Sequence, residues 1–202
     1  MTTEPTAPQP ATPDDDLVIA QTRAWVDRAV IGLNLCPFAK AVQVKGQVRY
    51  VVSRATSPED LLADLMHELE HLAETNPAKT DTTVLIHPDI LQDFRDYNDF
   101  LELADAAVEE LDLGGILQVA SFHPDYQFEG TEPDDVDNAT NRSPWPCLHL
   151  IREDSIDRAV EAFPEAEMIY ETNMATLRKL GPEGWAEVRA QIRADALAAL
   201  KR

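Results

Sequence analysis

TTVLIHPDILQDFRDYNDFLELADAAVEELDLGGILQVASFHPD, residues 82–125, holds a complete strand–helix–strand pattern. It opens with a short apolar run, Thr82 to His87, that Pro88 ends by removing a ladder donor and holding the histidine before it extended. A helical period follows from about Leu91 to Leu113, with Phe94, Tyr97, Phe100, Leu101, Leu103, Ala104 and Leu111 on one broad face. Gly114-Gly115 stops that helix, and Ile116 to Phe122 reads as a second strand ended by a second His-Pro-Asp. Strand, helix, strand is the unit of an α/β sheet with parallel neighbours.

Working outward, the pattern repeats. Gln47 to Ser53 reads as an earlier strand, and Ser57-Pro58-Glu59-Asp60 starts a helix carrying Leu61, Leu62, Leu65, Met66, Leu69 and Leu72. A first helix is expected from near Leu17 to Asn34, capped by the Asp14–Asp16 carboxylates and closed by Pro37. Downstream, 24 residues from His123 to Pro146 show no apolar period before a fourth strand, Cys147 to Ile151, of open direction. Helices are expected near 155–163 and 165–180, and again after Gly181-Pro182 to about Leu200. The expectation is a single α/β domain over residues 17–202, with a four-stranded, mostly parallel or mixed sheet flanked by helices and with helical N- and C-terminal segments. Residues 1–16, with four prolines and three aspartates, read as a disordered tail.

Charge narrows the partners. Lys plus Arg number 17 against 37 Asp plus Glu, a formal net charge of −20, which is the wrong sign for nucleic acid or an anionic membrane. No apolar run approaches the roughly 18 residues of a bilayer span, and the N-terminus has neither the basic nor the apolar region of a secretory signal. Two cysteines far apart give no disulfide framework, so a cytoplasmic protein with a small-molecule ligand is the expectation.

The long loop and the strand ends carry the candidate chemistry. His87 and His123 both close a strand in a His-Pro-Asp, and parallel strands would place them at the carboxyl edge where open α/β sheets hold ligands. His149 alternates with Leu148 and Leu150, so it shares a sheet face with Cys147 and Ile151. Cys36, just past a helix end, is either a small buried apolar residue or a nucleophile or metal ligand. Asn141, Arg142, Ser143 and Arg152 offer donors for a carboxylate or phosphate; the equal alternative for Arg142 is a structural tether to the loop's own acids, Asp134, Asp135 and Asp137.

Together, Cys36, His123 and His149 suggest two chemistries: a transition metal held by thiolate and imidazoles, or a cysteine nucleophile with a histidine base. A non-catalytic ligand-binding or scaffold domain is the alternative. A third reading, a zinc metalloprotease, rests on His67-Glu68-Leu69-Glu70-His71. It is disfavoured, because a helical wheel turns His67 and His71 away from the apolar stripe onto a polar, solvated face.

Five segments also carry a family resemblance. Gly32–Phe38 (GLNLCPF), His87-Pro88, Asp93–Tyr97 (DFRDY), Ser121–Phe128 (SFHPDYQF) and Asn141–Glu153 (NRSPWPCLHLIRE) are long and specific. From Thr22 to about Trp185 the chain resembles an uncharacterised, mainly bacterial domain-of-unknown-function family. That resemblance implies no reaction, substrate or cofactor. It does point to Cys36, His123, Asn141, Arg142 and His149 as family features and leaves the H-E-x-x-H peculiar to this chain.

Overall fold

A computed structural model describes residues 13–162 and 168–201, and shows the α/β domain built on one four-stranded mixed sheet. Residues 1–12 of the expected tail, and residues 163–167 between the expected C-terminal helices, lie outside the described residues. Helix α1 (Asp15–Trp25) starts where the carboxylate of Asp14 accepts from the amide of Asp16. Asp15 and Asp16 are therefore its first turn. The helix runs into a π-helical segment, Val26–Ile31, in which the Gly32 amide reaches the Asp27 carbonyl at 3.1 Å. Asn34, at φ 55°, then takes the left-handed conformation that ends the run.

A short helix, α2 (Ala39–Val44), which the apolar periodicity does not announce, leads to β1 (Val48–Val52). Ser57 caps α3 (Pro58–Glu74) by accepting from the amide of Asp60 at 3.2 Å, with Pro58 at the first position. Strand β2 (Thr82–Ile86) precedes α4 (Phe94–Glu110), whose start is fixed by Asp93 accepting from the amides of Arg95 and Asp96. Asp112 and Gly115, both at positive φ, turn the chain into β3 (Leu117–Phe122). A 3-10 segment, Val136–Asn141, lies inside the long connection to β4 (Cys147–Arg152). Helices α5 (Glu153–Ala162) and α6 (Ile169–Ala199) follow, the latter kinked where Gly181 adopts φ 72° beside Pro182.

The strand order is β1-β2-β4-β3. β1 and β2 are parallel neighbours, as the alternation of strands and helices requires, but β4 runs antiparallel between β2 and β3. The long β3–β4 connection permits this, because it returns the chain to the same sheet edge from which β3 left. Since β2 and β3 both oppose β4, they point the same way, and their carboxyl ends flank Cys147, the first residue of β4.

Each face of the sheet is covered by helices. Leu85, Leu148 and Leu150 pack against Leu61, Leu65 and Leu69 of α3 and Phe100 and Ala104 of α4 in the main core. Val84, Ile86 and Cys147, one residue out of phase, meet Val18 of α1 on the opposite face. The 3-10 segment and α1 pack on α6, with Ala139, Trp25, Leu177 and Trp185 in one cluster. Among the described residues, no helix is long and apolar enough to cross a membrane.

Candidate functional site

The α1 side of the sheet does not close completely. A cavity of about 770 Å³ lies between Tyr50, Val84, His149, Ala120 and Phe122 on the strands and Trp25, Val26 and Val30 on the helical segment above them. The register accounts for the floor: Val84 and Ala120 are the cross-strand partners of His149, so the three share one row. Cys36, Pro37, Phe38 and Val42 form another wall. The lining is overwhelmingly apolar. Its charged residues are Lys45, Asp81 and Arg158; Ser155 donates to Asp81 at 2.8 Å and accepts from Arg158 at 2.9 Å.

His149 is the one imidazole in this wall. Its Nε2 is 2.7 Å from the hydroxyl of Thr82, whose own proton goes to the carbonyl of Leu150 at 2.5 Å. The Thr82 oxygen must then accept, so His149 carries its proton on Nε2 and presents Nδ1 as a lone pair with no partner among the described residues. Burial without a compensating charge brings its pKa down to about 4. It is therefore a neutral hydrogen-bond acceptor in an apolar wall at neutral pH.

Cys36 lines the same cavity. Burial raises its thiol above the usual value, only partly opposed by the amides of Phe38 and Ala39. It stays a thiol near pH 7, and none of the groups acting on it is a cation. Cys147 is fully buried, with its thiol pushed up to about 12, and donates to the Trp145 carbonyl.

The two His-Pro-Asp histidines do reach one carboxyl edge, but on the α4 side. His87 and His123 are both fully buried and pack on Tyr97 at ring distances of 5.7 and 5.0 Å. His123 has both nitrogens bonded to backbone: Nε2–H donates to Leu91 at 3.1 Å, and Nδ1 accepts from the Asp125 amide at 3.0 Å. His87 gives Nδ1–H to Ile90 at 3.2 Å and leaves Nε2 without a partner. Tyr97 donates to the Cys147 carbonyl and accepts from the Phe122 amide, tying α4 to the ends of β3 and β4.

The loop residues are held by backbone. Asn141 donates to the Ser121 carbonyl, and its own carbonyl takes the His123 amide. Arg142 bridges two limbs of the loop by donating to the carbonyls of Tyr126 and Pro133. It is thus a tether through backbone carbonyls, with the loop's Asp125 and Asp134 acting on it through their charge, while Asp137 is held by Arg178 of α6. Ser143 donates to the Trp145 carbonyl. Arg152 caps the end of α3 and the turn beyond it, donating to Leu72, Thr75 and Thr80.

Of the residues singled out from sequence, the cavity brings together Cys36 and His149. His87 and His123 pack around Tyr97, and Arg142 and Arg152 serve backbone carbonyls. Among the described residues, no three His, Cys, Asp or Glu side chains cluster as a metal would require, so no metal step is derived from Cys36, His123 and His149. In the H-E-x-x-H, His67 is exposed and His71 half-buried. Glu68 corrects the solvated-face reading: it is 4% exposed and makes a two-bond ion pair with Arg49 at 2.8 and 2.9 Å. It is engaged there and not available as a general base.

Several cavity residues escape sequence reading. Thr82, which sets the His149 tautomer, and Thr140 and Asn173, which line an adjoining pocket, belong to no motif; only tertiary register and packing bring them in. Trp25 and Val30 carry a weak signal, as large apolar residues next to the Cys36 segment.

Comparison with known proteins gives a family and nothing narrower. No curated protein and no solved structure matches the chain. The family model described as "Protein of unknown function (DUF1415)" matches residues 17–187, which span every strand and all the candidate site residues. The chain belongs to the DUF1415 family of proteins of unknown function.

Proposed function

We propose that this chain is a small-molecule-binding domain whose cavity beneath α1 takes a largely apolar ligand. The observation that carries this reading is the cavity itself. At about 770 Å³ it falls in the range of ligand sites, roughly 300–1,000 Å³, with apolar walls and few polar groups. His149 adds specificity, because a neutral acceptor with a spare lone pair favours a ligand that carries one N–H or O–H. The excess of acids supports a partner that is neither nucleic acid nor an anionic membrane. Two free cysteines suit a reducing compartment, which supports the cytoplasm.

N-phenyl-1-naphthylamine, a neutral aromatic probe with one N–H, tests this by its fluorescence gain on entering an apolar site. We expect saturable binding to the full chain, weakened at least ~10-fold by Ala120→Phe, which fills the floor of the cavity. Unchanged binding by an Ala120→Phe protein with wild-type circular dichroism would sink the reading.

One observation favours a second reading, a thiol enzyme: Cys36 and His149 share the cavity. An activated thiolate–imidazolium pair needs a depressed thiol and a charged histidine, and burial drives both groups the other way. Iodoacetamide alkylation of Cys36 separates the two readings. A rate rising only above pH 8 supports the binding domain, and a plateau from pH 6 would support the enzyme.

A further inference from the structure

We infer that the cavity takes a single-chain amphiphile with a carboxylate head, held at a cationic rim by Lys45 and Arg158, with its tail over the sheet toward His149. This rests on the cavity reading above and narrows it.

Hydrogen bonds assemble the rim at one edge of the sheet. The Asp81 amide donates to the Gln47 carbonyl at 2.9 Å, and Gln47 Nε2 donates to the carbonyls of Pro77 and Ala78. Gln47 and Asp81 are the residues just before the parallel neighbours β1 and β2, so this is the amino edge of both. Antiparallel β4 ends at the same edge. Beyond its end, Ser155 donates to Asp81 at 2.8 Å and accepts from Arg158 at 2.9 Å. Lys45 follows α2 directly and is two residues before Gln47. Lys45, Asp81, Ser155 and Arg158 all belong to the cavity wall.

The charge here runs against that of the chain. Lys45 and Arg158 face a single carboxylate, Asp81, which already takes the Ser155 hydroxyl. Among the described residues, neither cation has an ion-pair partner. That is notable in a chain with 37 acids to 17 bases, where a carboxylate is the commoner neighbour. A guanidinium has several N–H donors, and Arg158 uses one nitrogen on Ser155, which leaves others for a carboxylate. Both cations are exposed, so a head group bound to them keeps part of its hydration.

The register gives the direction of the tail. Val48, Thr82 and Ile151 form the row next to the rim, and Tyr50, Val84, His149 and Ala120 form the next row of the same face. From Asp81 to Val84, the partner of His149, is three residues of extended chain, about 10 Å. One small group cannot reach both, so the N–H or O–H that His149 favours belongs to the tail.

Calorimetric titration of the full chain at pH 7 with decanoate and with decyltrimethylammonium tests the assignment. The net charge of −20 favours the cation at long range, so a preference for the anion has to come from a local site. We expect decanoate to bind at least ~10-fold more tightly. The pair Lys45→Gln and Arg158→Gln should abolish that preference, with circular dichroism confirming the fold. The pair Lys179→Gln and Arg193→Gln removes the same charge from exposed positions of α6 and should keep it. Ala120→Phe should weaken decanoate at least ~10-fold, because the tail needs the cavity floor.

Absent decanoate binding, equal or tighter binding of the cation, a preference that survives loss of the rim cations or disappears with the α6 pair, or decanoate binding indifferent to Ala120→Phe each overturns the inference. If N-phenyl-1-naphthylamine does not bind, the cavity reading fails, and this inference with it. Probe binding without the decanoate preference removes only the inference.

Discussion

His87 offers a quantitative test of the structure through acid lability. It is fully buried against Tyr97, and burial, with a smaller contribution from His123, lowers its pKa from 6.5 to about 4. An unfolded chain would protonate this imidazole as pH falls below about 6.5, but the native chain does not until about 4. The unfolded state therefore binds more protons across that window, and stability falls as pH falls through it, with the full contribution present above it. Linkage gives a loss of about 2 kcal/mol at pH 5 and about 3 kcal/mol near pH 4 from this one residue.

His87→Phe isolates the effect. It preserves the ring against Tyr97 and deletes the unpartnered Nε2. The Ile90 carbonyl that loses a donor still accepts from Gln92, so the variant should lie within about 1 kcal/mol of wild type at pH 7. Urea unfolding at pH 7 and pH 5 is the assay. The wild type should lose about 2 kcal/mol more than His87→Phe between the two pH values, with His149 and His123, both lowered by burial, contributing equally to each. Parallel losses, equal within about 0.5 kcal/mol, would refute the buried neutral histidine.

Two further outcomes follow from single contacts. Glu68→Gln should cost about 1–2 kcal/mol in urea unfolding, the buried carboxylate being discounted for an Arg49 partner that is 38% exposed, while His67→Ala stays within ~0.5 kcal/mol. A zinc-dependent loss in both variants would revive the protease reading. Gly32→Ala should destabilise by about 1–3 kcal/mol, because a Cβ there would stand 2.3 Å from the Arg28 carbonyl oxygen and force the π-helical segment to shift. A melting temperature unchanged by Gly32→Ala would show that the segment relaxes freely.

Much of the fold is legible locally. Ser57-Pro58, the Asp14–Asp16 run and Gly114-Gly115 announce helix ends through side chains and φ preferences that act within a few residues, and the structure uses each of them, whereas the Asp93 cap moves the start of α4 from the expected Leu91 to Phe94. The alternation Leu148/Leu150 against Cys147/His149 also reads correctly, because period two is a property of the strand itself. Glu68 marks where this stops. It lies at the border of the apolar stripe, and only Arg49 on β1, 19 residues earlier, decides that it is buried and paired.

Composition and short-range periodicity are enough for the α/β class, the four strands, the capped helices and the acidic, low-cysteine character. The sequence also marks His87, His123, Cys36, His149 and the long β3–β4 connection. What it leaves open is which of them meet. The insertion of β4 between β2 and β3 sends His87 and His123 to Tyr97 and Cys36 and His149 to the cavity. It also brings Thr82 against His149 and sets that ring's tautomer. Strand order and cross-strand register are non-local: residues 67 positions apart, as Thr82 and His149 are, become neighbours only when the whole sheet assembles.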